Sequence, residues 1–204
     1  MVALALGLVM IGAVVTVFVS NQQSARTKQE LDRAQEAFRF ASHTIMRVVQ
    51  QGEIQPPDSP EELLVVDISP EPGHRDCLGR SFHEITGIDH ARNTFFIDAA
   101  GSLLCQVENH MLDGSISQSL PEVIVTGIDS DRTEFTFGVS DSENAANSYW
   151  SNNAQWVLPP GIPPINWANV RSVRVRLAMQ SGDEAIGPTA LFSATMRCGG
   201  LDSC

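Results

Sequence analysis

Four cysteines are the residues of this 204-residue chain whose type and spacing could do covalent chemistry. They are Cys77, Cys105, Cys198 and Cys204. None of their spacings has the C-x-x-C form of redox motifs and zinc ribbons, so we expect structural disulfides. Sequence alone leaves three pairings open. We favour Cys77–Cys105, which would tie a loop to a predicted hairpin, and Cys198–Cys204, which encloses only a short flexible segment. Disulfides require an oxidising compartment, which predicts that this part of the chain lies outside the cytoplasm.

Other residue types that could support chemistry lack the spacing that the chemistry needs. The histidines near Cys77 form no i, i+4 pair, as a helical zinc site would require; they are His74, His83, His90 and His110. The segment from Asp129 to Glu134 resembles part of a calcium loop, but it lacks the glycine and the distal glutamate. No G-x-S-x-G motif or glycine-rich phosphate loop is present. We therefore expect no catalytic residues, no metal, no cofactor and no small-molecule substrate: the chain is not an enzyme.

Charge is distributed unevenly along the chain. Residues 1–25 contain no charged side chain, and residues 1–51 carry five basic and three acidic side chains. The remainder carries 8 basic and 21 acidic side chains, within a net charge of −11 for the whole chain. So acidic a surface repels phosphate backbones, which excludes nucleic acid as an expected partner.

The opening run MVALALGLVMIGAVVTVFVS predicts a membrane helix over residues 1–22. A helix needs roughly 20 apolar residues to cross a bilayer, and Gly7, Gly12 and Thr16 are tolerated there. The alternatives are a cleaved signal peptide and a buried core helix. The run has no basic n-region and no A-x-A-like cleavage site, and core helices are rarely apolar on every side. Arg26 and Lys28 taken alone would place the following residues in the cytoplasm, but we give the cysteines more weight.

Nothing local ends this helix before Gln51, because no glycine or proline occurs from Ala13 to Gln51. We expect an amphipathic continuation over residues 23–52, giving one helix about 75 Å long. Apolar residues recur at spacings of three and four and predict a stripe that packs on the rest of the protein. They are Leu31, Ala34, Phe38, Ala41, Ile45 and Val48.

Residues 53–204 have the pattern of short strands. Residues 63–68 form one predicted strand, residues 93–98 and 102–107 a first hairpin, and residues 123–128 and 133–139 a second. Residues 173–179 alternate like a half-buried antiparallel strand, and residues 190–196 supply a final one. We interpret residues 140–169 as a long surface loop, in which Tyr149, Trp150, Trp156 and Trp167 form either a packing cluster or a partner-binding patch. The fold class is therefore α+β, a long helix on an antiparallel head.

Several segments resemble a known family. The first 23 residues followed by TKQELDRAQEAFRFASHTIMR resemble the N-terminal helix of type IV pilins, and more narrowly that of PilW-type minor pilins of Gram-negative bacteria. Four downstream segments are similar to this branch: Cys77-Leu78-Gly79, NTFFIDAAGSLLC, TGIDSDRTEFTFGV and NWANVRSVRVRLAMQS.

The resemblance implies a minor pilin that is assembled into, or primes, a thin helical fibre at the inner membrane. Its partners would be other pilin subunits and the pilus assembly machinery, with the head in the periplasm before assembly and on a surface pilus afterwards. Family members begin with a basic leader and carry a helix glutamate that aligns two residues before Met1. The sequence contains neither, so as written we expect no processing by a prepilin peptidase.

Assembly would bury the apolar helix against sister helices once it leaves the bilayer. At about 25 cal/mol per Å² of apolar area, this burial contributes many kcal/mol per subunit. Small residues allow close approach of the backbones, and large ones supply the apolar area. The expected packing residues are Ala3, Ala5, Gly7, Leu8, Gly12, Val14 and Val19. Gly7 and Gly12 could instead be incidental, because glycine is common in membrane helices.

Two other functions remain open from the sequence. A type II secretion pseudopilin shares the predicted architecture, and a filament pull-down would distinguish it from a pilin. A single-pass, membrane-anchored binding module belongs to a different class. Such a module would stay monomeric and never enter sheared filament fractions.

Overall fold

One long helix opens the structure. The computed structural model describes residues 2–82, 85–139, 149–152, 165, 167–180 and 187–196, with side chains described from Met10 onward except at 11, 13 and 149–152. Helix α1 runs from Val2 to Gln51, 50 residues. It ends at the first glycine after Ala13, where the sequence predicted its end.

Contacts divide the chain into two compact units, Met1–Ala37 and Phe38–Cys204. The first unit consists of helix. The second contains the last turns of α1 and all the described strands, and we call it the head. Its architecture is α+β, with the helix packed on antiparallel sheet, as the sequence predicted at this level.

The first sheet of the head has six described strands, all antiparallel. They are β1 (Gly52–Gln55), β2 (Glu62–Ile68), β3 (Ile88–Ile97), β4 (Leu103–Met111), β5 (Ile116–Gln118) and β6 (Glu122–Val125). The order is β1-β2-β3-β4-β5, and β6 also pairs with β4. The β3–β4 hairpin confirms the first predicted hairpin, with Phe95 opposite Cys105.

The second sheet has four described strands, in the order β10-β9-β7-β8. They are β7 (Glu134–Val139), β8 (Tyr149–Asn152), β9 (Val170–Ala178) and β10 (Thr189–Thr195), and a short 3-10 turn, Trp167–Asn169, precedes β9. Strand β9 alternates as predicted, because Val173, Val175 and Leu177 are buried whereas Arg174 and Arg176 are exposed.

Two expectations about the strands were wrong. The predicted second hairpin does not exist, since β6 pairs with β4 in the first sheet and β7 pairs with β8 and β9 in the second. The predicted loop over residues 140–169 contains strand β8, while residues 140–148, 153–164 and 166 lie outside the described residues. The alternation of apolar and polar residues correctly predicted strands β6 and β7. It could not predict which strands pair with each other, because pairing is decided by long-range contacts.

The two sheets meet at the turn that closes the β3–β4 hairpin. The Ile128 amide donates to the Gly101 carbonyl at 2.7 Å, and the Asp129 amide donates to the Ala178 carbonyl at the end of β9 at 2.8 Å. The Gln180 amide in turn donates to the Gly127 carbonyl at 2.7 Å. The segment after β6 is therefore drawn across to β9 instead of turning back on β6.

Candidate functional site

An unpacked apolar surface lies on the N-terminal part of α1. Every described side chain from Met10 to Arg33 is exposed. The large apolar ones among them keep 45% to 70% of their surface; they are Met10, Val14, Val15, Val17, Phe18, Val19 and Leu31. Soluble proteins rarely leave so much contiguous apolar area without a partner, because water penalises it. This surface, over Met10–Val19, is the main candidate site.

The polar groups within this surface are already satisfied by the helix. The Thr16 hydroxyl donates to the Gly12 carbonyl at 2.8 Å, one turn earlier. At Gly12 itself, an added Cβ would meet no atom within 4 Å. The Thr16 hydroxyl therefore needs no partner outside the helix, and the absence of a side chain at Gly12 is suited to close approach of another helix.

Within the described part of the chain, no helix has a run long and apolar enough to cross a membrane. The side chains of residues 1–9 lie outside the described residues, and they include the expected packing residues Ala3, Ala5, Gly7 and Leu8. The membrane segment over residues 1–22 stays a prediction.

The residues predicted to pack α1 on the head differ in burial. Ala41, Ile45 and Val48 are fully buried, and Ala34 is buried as well. Phe38 is half-buried, and Leu31 is 45% exposed. The sequence did not single out Val49, which is also fully buried, because it lies beside the stripe rather than on it.

Polar contacts hold the last turns of α1 to the loop that carries Cys77. One Nη of Arg47 donates to the Asp76 carbonyl at 3.0 Å, and the Arg75 amide donates to the Gln51 side-chain oxygen at 3.1 Å. Burial lowers the pKa of the Arg47 guanidinium, an effect that the Asp76 carboxylate partly offsets and Arg75 adds to. The Arg47 Nε is buried with no hydrogen-bond partner among the described residues. A charged group is thus held at the junction between the helix end and this loop.

A disulfide joins the same loop to the first sheet. Cys77 is bonded to Cys105 on β4, across 28 residues of sequence, and both are buried. This is the pairing that we favoured. Cys198 and Cys204 lie outside the described residues.

A buried asparagine supports the disulfide from β3. The Asn93 Oδ1 accepts a 2.8 Å hydrogen bond from the Cys77 amide, and its Nδ2 donates to the Ala91 carbonyl at 3.1 Å. Asn93 is fully buried, so these bonds offset the desolvation of its amide. Next to it, the Asp76 carboxylate, 3% exposed, pairs with Arg80 at 2.7 Å. No pattern in the sequence points to Asn93, because a lone asparagine in a strand has no diagnostic spacing.

The histidines occupy structural positions where they are described. His90 and His110 are cross-strand partners with rings stacked at 4.3 Å, and the His74 Nδ1 lies 3.0 Å from the Ser69 carbonyl. His83 lies outside the described residues. No three His, Cys, Asp or Glu side chains of the described ranges come together in a way that could hold a metal ion.

The side chains of Asp129 and Trp167 also contact other side chains of the head. The Asp129 carboxylate lies 3.5 Å from Arg132, whose guanidinium also donates to the Gly187 carbonyl at 3.0 Å. Trp167 packs edge-on against Phe137, with ring centroids 5.0 Å apart. The side chains of Tyr149 and Trp150, and all of Trp156, lie outside the described residues.

Comparison with known proteins identifies no relative. No protein-family model matches the chain, and no curated protein or solved structure is significantly similar to it.

Proposed function

We propose that this chain is a structural subunit of a type IV pilus, a minor pilin, and not an enzyme. In this proposal the N-terminal part of α1 is held in the inner membrane before assembly. It then packs against the corresponding helices of other subunits in the fibre, and the head stays outside the cytoplasm. The partners are other pilin subunits and the membrane machinery that assembles them.

The observation that carries the proposal is the exposed apolar surface of Met10–Val19 on a helix that continues to Gln51 in the head. Such a surface must be covered by lipid or by other apolar helices. A chain of this design can exchange lipid for other helices around Met10–Val19 without refolding its head. Arg47 and the fully buried residues Ala41, Ile45 and Val48 of α1 belong to the head, whereas Met10–Val19 does not. The Cys77–Cys105 bond supports an oxidising location for the head.

Placing a charge in the apolar surface tests the proposal. Val14→Asp puts a carboxylate where the side chain is 68% exposed, so the change should not affect the folding of the head. We expect the variant to be lost from sheared, sedimented filaments, because burying an unpaired carboxylate between apolar helices costs several kcal/mol. Ser24→Asp, on an exposed polar part of the same helix, is the matched control and should assemble normally.

Head folding is read separately, from protease resistance and from the disulfide under non-reducing conditions. Normal incorporation of Val14→Asp into filaments would reject the proposal. Unaltered chain found only as a membrane monomer would favour an anchored binding module. Co-purification with a secretion apparatus in place of surface fibres would favour a pseudopilin.

A further inference from the structure

One edge of the first sheet is both apolar and acidic. Strands β5 and β6 line the same side of β4 and form this edge, and we call it the acidic edge. Four large apolar side chains along it keep 55% to 85% of their surface; they are Leu112, Ile116, Leu120 and Val123. From residue 103 to residue 131 the chain carries five acidic side chains and no lysine or arginine. Asp113 and Glu122 are exposed among the apolar side chains.

Among the described strands, none pairs with the outer side of β5. The Met111 amide donates to the Ser115 carbonyl at 2.9 Å, and the Ser119 amide donates to the Val107 carbonyl at 2.8 Å. Residues 115, 117 and 119 therefore face β4, and alternation turns the N–H and C=O groups of Ile116 and Gln118 outward. Exposed strand edges of this kind are templates for pairing with another chain.

The second sheet ends in an edge of opposite charge, strand β10, which we call the basic edge. Leu191 on β10 is 63% exposed and lies opposite Arg176, and Ser193 lies opposite Arg174. Over the described residues 167–180 and 187–196 the chain carries three arginines and no aspartate or glutamate, and one of the three, Arg176, lies 3.8 Å from the Glu134 carboxylate on β7. An apolar side chain thus lies beside cationic ones on the outer strand of this sheet.

The backbone of β10 is also turned outward at alternate positions. The Met179 amide donates to the Pro188 carbonyl at 3.0 Å, and the Met196 amide donates to the Arg171 carbonyl at 2.9 Å. Even-numbered residues therefore face β9, and Leu191 and Ser193 point their backbone groups away from it. Among the described strands, none pairs with this side of β10.

We propose that the basic edge of one copy of this chain pairs with the acidic edge of a second copy, adding β10 antiparallel or parallel to β5. The contact would join Leu191 to the apolar side chains around Ile116, with arginines facing Asp113 and Glu122. The two surfaces differ, so the contact is heterologous and repeats from copy to copy instead of closing into a pair. The inference rests on the proposed function, since it names the head-to-head contact of that fibre.

A second copy fits this edge in spite of the overall acidity of the head. Charges more than about 8 Å apart are largely screened at physiological salt, so the local match of the two edges outweighs distant repulsion. The Ser115 hydroxyl and amide donate hydrogen bonds to the Asp113 carboxylate and lower its pKa, which favours the charged form of that carboxylate.

Cross-linking between two differently labelled edges tests the contact. Gln118→Cys places a thiol on β5 on the same face as Ile116, and Ser193→Cys places one on β10 on the same face as Leu191, both at exposed positions. Full-length chains in detergent micelles or filaments are treated with a short bismaleimide. We expect a covalent dimer only when the two variants are mixed. No product from the mixture, or equal product from either variant alone, overturns the inference, and the unaltered chain controls for its own cysteines.

Charge reversal shows whether the arginines and carboxylates carry the contact. Adding Arg174→Glu and Arg176→Glu to the Ser193→Cys chain should lower the yield of mixed dimer at least about fivefold. Adding Asp113→Arg and Glu122→Arg to the Gln118→Cys partner should restore it. An unchanged yield in both steps contradicts the proposal. Where a reversed variant fails to fold, amide exchange of the unaltered chain decides instead: protection of Ile116–Gln118 and Thr189–Thr195 must rise together with concentration.

The two proposals fail in different ways. Filaments that depend on Val14 but give no mixed cross-link retain the proposed function and overturn this contact. Mixed cross-links together with normal incorporation of Val14→Asp chains into sheared filaments retain the contact and reject the role of the apolar helix.

Discussion

The guanidinium of Arg47 on α1 donates a 3.0 Å hydrogen bond to the carbonyl of Asp76, the residue before the disulfide-bonded Cys77. The last turns of the helix and the covalent link of the head are therefore fastened to one loop.

The hydrogen bond of Arg47 should stabilise the head by more than the charge of its side chain alone. We expect Arg47→Lys to lower the free energy of unfolding of the head by about 1–2 kcal/mol, because a lysine keeps the charge but not the reach and planar geometry of the guanidinium. Chemical denaturation of the head, followed by tryptophan fluorescence, measures the change. Arg39→Lys, at an exposed position of the same helix, is the control and should stay within about 0.5 kcal/mol. Equal effects of the two variants would contradict the assignment.

The Cys77–Cys105 bond closes a loop of 28 residues, which restricts the unfolded chain. The chain-entropy relation gives a stabilisation of about 3–4 kcal/mol for a loop of that length. The Cys77→Ser, Cys105→Ser double variant should lose about this much, measured by urea denaturation without reductant. Dithiothreitol should lower the free energy of unfolding of the unaltered chain. The double variant lacks this bond, so dithiothreitol should cause no loss that comes from it. A loss below about 1 kcal/mol would show that the bond is dispensable.

Gly101 should tolerate no side chain. Its φ of +74° favours glycine, and an added Cβ would lie 2.5 Å from the Ile128 carbonyl oxygen and 2.6 Å from the Gln180 side-chain nitrogen. Gly114 has a similar φ of +82° but open space around the Cβ position. We expect Gly114→Ala to cost about 1 kcal/mol from backbone strain.

Gly101→Ala should cost at least about 2 kcal/mol more than Gly114→Ala, because it also forces the two sheets apart at their junction. Thermal unfolding of both variants gives the comparison. Equal losses would mean that the close approach at Gly101 relaxes without cost.

Gly12 distinguishes a packing role from an incidental glycine. Nothing in the described structure lies within 4 Å of a Cβ at this position, so Gly12→Leu should leave the head unchanged and raise helix stability by up to about 1 kcal/mol. If another helix packs closely at Gly12, the same variant should sharply reduce the yield of sheared filaments. Gly12→Ala is the graded control, with a smaller loss. A filament yield that rises together with helix stability would show that the glycine is incidental.

The sequence determined the local elements of this protein. Helix α1 follows from the absence of glycine and proline between Ala13 and Gln51, and it ends at the glycine that breaks it. The β3–β4 hairpin follows from its turn, where the Asp98 carboxylate accepts hydrogen bonds from the amides of Ala100 and Ser102 at 3.0 Å and 2.7 Å. These features depend on neighbours in sequence, which is why a pattern of residues can predict them.

Only the tertiary structure decided which strands become partners. Strands β6 and β7 are neighbours in sequence but lie in different sheets, because the Ile128 amide bonds to Gly101 and the Asp129 amide to Ala178. Strand β1 is too short, and too close to Pro56 and Pro57, to be recognised without its partner β2. The support of Cys77 by Asn93 likewise joins residues far apart in the chain. Such contacts depend on the packing of the whole head, which no local pattern of residues contains.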